Sequence, residues 1–212
     1  MKKILILAAM AVLFSNLKIT AQTENFNTWI ELEFRKDFLD KFSFRLTPEV
    51  RLEDQFKADE FLFLGKLKYE LLPFLDLAGA YRINTEVKKR GNENYYRWAF
   101  DAQAQQEIGR FKAKVRGRIT NFTDSSEEDP GTYFRPRTKL EYNIKNNKIE
   151  PFFSYELFRN MTEAQWHKYR IDAGFTRNLG KWHRIELFYR RHNYFTGKAP
   201  VHIVGIGYRL KL

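Results

Sequence analysis

The chain has 212 residues, 43% hydrophobic and 17% aromatic, with 37 lysines and arginines against 26 acids, a formal charge of +11 and no cysteine. That length fits one sizeable domain; twenty phenylalanines, eleven tyrosines and four tryptophans exclude a low-complexity disordered chain, and the missing cysteine excludes a disulfide scaffold and a thiolate metal site. A mean hydropathy of -0.56 and a pI near 9.7 are the marks of a soluble nucleic-acid binder at first sight, and the order of the residues overrides them.

The first element is a targeting segment. Lys2 and Lys3 make a basic start, Ile4 to Leu17 is an apolar run too short to span a bilayer, and Ile19-Thr20-Ala21 before Gln22 reads as a signal-peptidase site. The expected domains are therefore a cleaved signal peptide over 1–21 and a mature domain over 22–212. Cleavage removes Lys2, Lys3 and Lys18 and no acid, so the mature charge is 11 − 3 = +8. Export of such a chain argues against cytoplasmic nucleic acid as a partner. A lipid anchor would need a cysteine after the apolar run.

Beyond Gln22 no apolar stretch approaches the roughly 20 residues of a transmembrane helix. The chain alternates instead. Phe42, Phe44, Leu46, Pro48, Val50 and Leu52 interleave with Ser43, Arg45, Thr47, Glu49 and Arg51, which scatters the apolar groups around a helix but gathers them on one face of a strand. In chain order such segments are Thr28 to Lys36, Lys41 to Glu53, Phe61 to Leu71, Leu75 to Glu86, Tyr96 to Gln105, Phe111 to Ile119, Thr132 to Ile144, Ile149 to Phe158, His167 to Arg177, Trp182 to Tyr194 and Val201 to Leu212. They are longer than ordinary soluble strands, which centre on about 5 to 6 residues, and suit the roughly 9 to 11 of membrane strands. Tight turns alternate with longer, more charged connections, the asymmetry of an outer-membrane barrel. The predicted fold is all-β, a transmembrane antiparallel up-and-down β-barrel. Eleven segments are legible, and because bacterial barrels normally have an even number the expectation is about 10–12 strands.

An arginine or lysine on the lipid face costs roughly 2 to 4 kcal/mol at the midplane. The basic residues at alternate positions are accordingly expected to face the lumen: Arg45, Arg51, Arg82, Arg97, Lys112, Lys114, Arg116, Arg118, Arg135, Arg137, Lys139, Arg170 and Arg184. Glu31, Glu33, Glu49, Glu70, Glu86, Asp101, Glu107, Glu141, Glu156, Asp172 and Glu186 are the acids on other strands that could pair with them. Trp29, Tyr96, Trp98, Trp166 and Trp182 lie toward strand ends and are expected at the membrane interface, apolar body in lipid and polar edge among headgroups. A lipocalin-like soluble barrel, with its apolar face inside, is the rival fold.

The chain stops inside a strand whose His202, Val204, Ile206, Tyr208, Leu210 and Leu212 share a face. This resembles the C-terminal signal read by barrel-assembly machinery through Tyr208, Leu210 and Leu212, with Leu212 in place of the usual terminal Phe. Together with Ala21-Gln22, Trp29, Thr47-Pro48-Glu49-Val50-Arg51-Leu52 and the Tyr69 to Tyr81 hairpin, the chain resembles the uncharacterised outer-membrane barrels grouped as domain of unknown function twenty-four-ninety. The resemblance implies a fold and a location in the Gram-negative outer membrane, in contact with its lipid and lipopolysaccharide. It implies no reaction and no catalytic residues.

A serine nucleophile needs a histidine within hydrogen-bond reach. The mature chain offers Ser43, Ser125, Ser126 and Ser154 with His167, His183, His192 and His202, and alternation points Ser154 inward and His167 outward. No zinc spacing exists, and the acidic run Asp124 to Asp129 lacks the ordered spacing of a calcium loop. Neither a cofactor nor a metal is expected. The basic runs are no nucleic-acid face, since their aromatics sit on the opposite side. The expected function is non-enzymatic, a structural barrel or a narrow, porin-like, anion-leaning channel with a mostly filled interior; the alternative is a lipid-modifying barrel enzyme of the lipid A deacylase or phospholipase type.

Overall fold

The computed structural model describes residues 25–53, 56–121 and 131–212. The expected signal peptide over 1–21, the acidic run Asp124 to Asp129, and Ser125 and Ser126 lie outside the described residues. Eleven strands follow one another: β1 (Asn25–Phe38), β2 (Phe42–Glu53), β3 (Lys57–Leu72), β4 (Leu75–Glu86), β5 (Glu93–Ile108), β6 (Phe111–Thr120), β7 (Tyr133–Tyr142), β8 (Ile149–Asn160), β9 (Gln165–Leu179), β10 (His183–Tyr194) and β11 (Val201–Lys211). Among the described residues there is no α-helix.

Each strand pairs antiparallel with the next, and the sheet closes where β1 meets β11. That last seam is parallel, running from Asn25↔Val201 to Arg35↔Lys211. The even number expected of such barrels is not met, and the geometry says why an odd one closes. With eleven strands alternating in direction, the first and last point the same way, so the seam uses the parallel hydrogen-bond pattern and leaves no edge. The strand ends that flank 39–41, 73–74, 109–110, 143–148 and 180–182 lie at one end, the turn end, and the strand ends that flank 54–56, 87–92, 121–132, 161–164 and 195–200 at the other, the loop end. β11 finishes beside the end of β1, where Lys211 Nζ meets Asp37 at 2.9 Å.

The period of two sorts side chains onto two walls. The outer wall is apolar, with Phe100, Val115, Phe63 and Leu187 more than half exposed. The inner wall is polar and buried: Glu156, Lys168, Asn84, Asp172 and Ser154 are each no more than 1% exposed.

Two local features depart from the sequence reading. Trp29, expected at the interface, is 4% exposed and lies inside the barrel, clustered with Phe152, Phe188 and Ile203. It has the parity of Glu31 and Glu33, and the Arg51 guanidinium sits 3.7 Å from its ring centre. Strand parity therefore outranks position along the strand. Tyr133, at a strand end, is likewise fully buried on the inner wall. His167 was expected to face outward, but the β8–β9 ladder shifts register between Phe158 and Arg159. That irregularity resets the alternation and turns the His167 ring edge-on to Tyr133 and Tyr194, both of the inner-wall set, at centroid distances of 6.1 Å.

Candidate functional site in the barrel lumen

Strands β6 and β7 place like charges directly opposite one another: Lys114↔Lys139, Arg116↔Arg137 and Arg118↔Arg135. Facing like charges destabilise a ladder, so this wall can form only if acids from other strands reach between them. They do so at three buried centres.

Glu156 on β8 accepts from Arg116 Nη2 at 2.7 Å, Arg135 Nε at 3.1 Å and Arg170 Nη2 at 2.5 Å. Asp172 on β9 accepts from Arg190 Nε at 2.8 Å, Arg137 Nη2 at 3.0 Å and Ser154 Oγ at 3.0 Å. Asp101 on β5 takes both Arg118 Nε at 2.6 Å and Nη2 at 2.9 Å, the two-pronged fit of guanidinium to carboxylate, and Lys66 Nζ at 2.5 Å. Smaller pairings extend the network toward both ends. Arg51 bridges Glu49 at 2.6 Å and Glu60 at 2.7 Å, Glu141 holds Lys114 at 2.7 Å and Lys139 at 3.3 Å, and Arg184 reaches Glu150 at 3.2 Å. Arg45 and Arg209 both meet Glu33.

The basic positions singled out from the sequence share the strand parity of these buried groups. Arg51, Arg97, Arg135 and Arg170 are buried; Arg45, Arg82, Lys112, Lys114, Arg116, Arg118, Arg137, Lys139 and Arg184 are half-buried. Of the aromatic positions, Tyr96, Trp98 and Trp166 are exposed toward the loop end and Trp182 at the turn end.

Sequence reasoning missed the aromatic part of the filling. Phe158 is fully buried beneath Arg135, whose guanidinium is 4.2 Å from the ring centre, and beneath Lys168 at 4.8 Å. Arg190 lies over both Trp29, at 4.8 Å, and Phe188, at 4.7 Å. The signal was present: Phe188 shares parity with Arg184, Glu186 and Arg190, and Phe158 with Ser154 and Glu156. Cation–aromatic contacts of this kind are worth about 2 kcal/mol or more when desolvated.

Several spaces remain between these side chains among the described residues. A polar vestibule of about 220 Å³ at the turn end is bounded by Lys112, Lys114, Glu141, Glu150 and Arg184. Deeper lie a cavity of about 60 Å³ between Glu31, Glu33, Glu186 and Arg209, and one of about 40 Å³ between Arg82, Arg97, Arg118 and Arg135. On the outer wall, Gly79, Ala102 and Gly117 floor an apolar groove of about 760 Å³ flanked by Phe100 and Phe134.

No nucleophilic dyad is assembled around Ser154. Its hydroxyl is engaged by Asp172 and Arg137, while His167 lies five positions from Asp172 along β9, roughly 17 Å of strand. His183 Nδ1 bonds the Tyr208 hydroxyl at 2.6 Å and His202 Nδ1 that of Tyr189 at 2.5 Å. Among the described residues, no group of three histidines and acids is placed to hold a metal ion. In the interval 87–92, Lys88 bonds Glu93 at 2.7 Å, and this carboxylate holds the ammonium pKa above its ordinary value.

Residues 26–200 match the family described as Protein of unknown function (DUF2490). Neither the curated proteins nor the solved structures returned a match.

Proposed function

We propose that this chain, which belongs to the DUF2490 family of proteins of unknown function, is an exported outer-membrane barrel with a structural, non-enzymatic role and an interior closed by its own ion pairs. The observation that carries the reading is the sidedness of the wall. Phe63, Phe100, Val115, Leu187, Ile206 and Ile30, on strands spread around the barrel, are all exposed on its outside, and a monomer in water rarely leaves contiguous apolar patches beyond a few hundred Å² uncovered. Hydrocarbon is the solvent that suits such a wall, and a closed sheet is one of the two structures that satisfies its backbone there. A lipocalin-like barrel would have the faces reversed.

The longer intervals face outward from the cell in this reading, and the turn end lies in the periplasm. Trp166, Trp98 and Tyr96 then serve one interface and Trp182 the other. Tyr208 and Leu210 lie on the outer face of β11, with Leu212 just beyond it, accessible to the barrel-assembly machinery. The deciding measurement is migration on an unheated gel of protein from the outer-membrane fraction. A folded barrel runs anomalously and shifts on boiling; a soluble protein that does not shift would overturn the proposal.

One observation favours a second reading, a narrow anion-leaning passage: four guanidinium groups border the 40 Å³ cavity. In planar bilayers that version gives discrete, salt-dependent conductance, and the closed version gives none. An enzymatic role would require lipid A or phospholipid profiles that differ between cells with and without the gene.

A further inference from the structure

The outer wall carries few charged groups, and most sit at its rims. Arg159 is next to the last residue of β8, its guanidinium 5.7 Å from the Trp166 ring centre. Arg191 is different. It has outer-wall parity, between Tyr189 and Asn193, and lies three residues short of the end of β10 at Tyr194, roughly 10 Å of strand below the loop-end rim. The cross-strand register sets it in a row of outward residues, Tyr155↔Ile171↔Arg191↔His202↔Phe26.

The lumen acids are on the far side of the sheet. Arg191 Nε is buried and has no hydrogen-bond partner among the described residues, and neither has Asn193 Nδ2 one turn of the pleat above it. Just below, the Tyr189 hydroxyl is tied to His202. Arg191 and Asn193, two residues apart on one strand, therefore present unsatisfied nitrogens on the same side of an otherwise aromatic and aliphatic wall, beside Tyr169, Ile171 and Phe26 in the cross-strand register. A guanidinium set below a membrane interface demands a counter-charge, and its fork geometry suits phosphate oxygens, while the surrounding rings suit acyl chains.

We propose that Arg191, with Asn193, binds the phosphate of a phosphorylated glycolipid in the leaflet at the loop end, its acyl chains lying along Tyr155, Ile171 and Phe26. This rests on the membrane reading above. The phosphate is taken by donors the barrel already points outward, and no lumen residue takes part.

The test uses the mature barrel in detergent micelles, with native mass spectrometry of retained bisphosphorylated lipid A against its dephosphorylated form. The wild-type chain should prefer the phosphorylated lipid by about tenfold. Arg191→Gln should abolish the preference, and Arg159→Gln, at the rim, should leave it intact. Equal retention of the two lipids, or a preference that survives Arg191→Gln, overturns the site. Heat-modifiable migration and flotation with lipid vesicles are measured for each variant. A chain that floats but shows no preference refutes this site alone, whereas a chain that never enters vesicles refutes the membrane reading and the site with it.

Discussion

Glu156→Gln is the sharpest perturbation of the lumen. The carboxylate is fully buried and is shared by Arg116, Arg135 and Arg170 at 2.5 to 3.1 Å. The amide keeps the shape and removes the charge. Arg170 retains a second acid, with its Nε 3.7 Å from Asp172, so the burden falls first on Arg116. At an effective dielectric of about 20, a pair of unit charges about 4 Å apart is worth about 4 kcal/mol. Breaking a buried pair by removing one partner generally costs about 3–5 kcal/mol, because the other charge stays buried without compensation. The expected loss is in that range, read as a fall in the urea midpoint of unfolding in lipid vesicles, followed by tryptophan fluorescence with the slope unchanged. Glu107→Gln is the matched control: Glu107 is 71% exposed where it meets Lys112, so its loss should fall within about 1 kcal/mol. Replacing the centre together, Glu156→Leu with Arg116→Met and Arg135→Met, should recover most of the stability, since a packed apolar set avoids the desolvation of all three charges. A Glu156→Gln protein as stable as wild type would refute the claim that this acid holds the β6–β7 wall together.

Further outcomes follow from other parts of the barrel. A Cβ at Gly205 would stand 2.1 Å from the Phe188 ring, so Gly205→Ala should destabilise by about 1–3 kcal/mol through overpacking, and Phe188→Leu in the same chain should relieve part of it in a double-mutant cycle. Leu39 is exposed in the β1–β2 turn with φ of 49°, a conformation that costs a side chain about 1–2 kcal/mol; Leu39→Gly should therefore raise the unfolding midpoint slightly, and a fall would mean that the turn takes no penalty from Leu39. Because the chain has no native cysteine, Lys89→Cys and Lys145→Cys report orientation cleanly: a membrane-impermeant maleimide should label the first in intact cells and the second only after lysis, and the reverse pattern would invert the proposed topology.

The strand plan was legible because its signal is local. A two-residue period survives in any window of nine or ten residues, and all eleven segments read from the sequence became strands. The sides of the wall were legible for the same reason: Lys112, Lys114, Arg116 and Arg118 cannot share a face with Phe111, Val115 and Ile119. Two things were out of reach. Nothing in the order of residues marks the register slip at Phe158/Arg159 that brings His167 inside, since a bulge is fixed by the partner strand. The convergence of Arg116, Arg135 and Arg170 on Glu156 joins residues from four strands, and strand periodicity does not specify which acid each arginine meets.

Trp29 joins these two levels. Its position near a strand start favours an interface, while its parity favours the lumen, and parity prevails because a one-residue slip would move Glu31 and Glu33 to the outer wall as well. The same residue lies at the parallel seam, opposite Gly205, where Phe188 closes over the space that the glycine leaves. The odd strand count and the aromatic filling are therefore linked. The seam between β1 and β11 carries a tryptophan and a glycine in register, and Arg51 and Arg190 stack on that tryptophan from β2 and β10. Gly205 and Trp29 then do more than fill space, because they fix the register in which the first strand meets the last, the one pairing that no hairpin turn enforces.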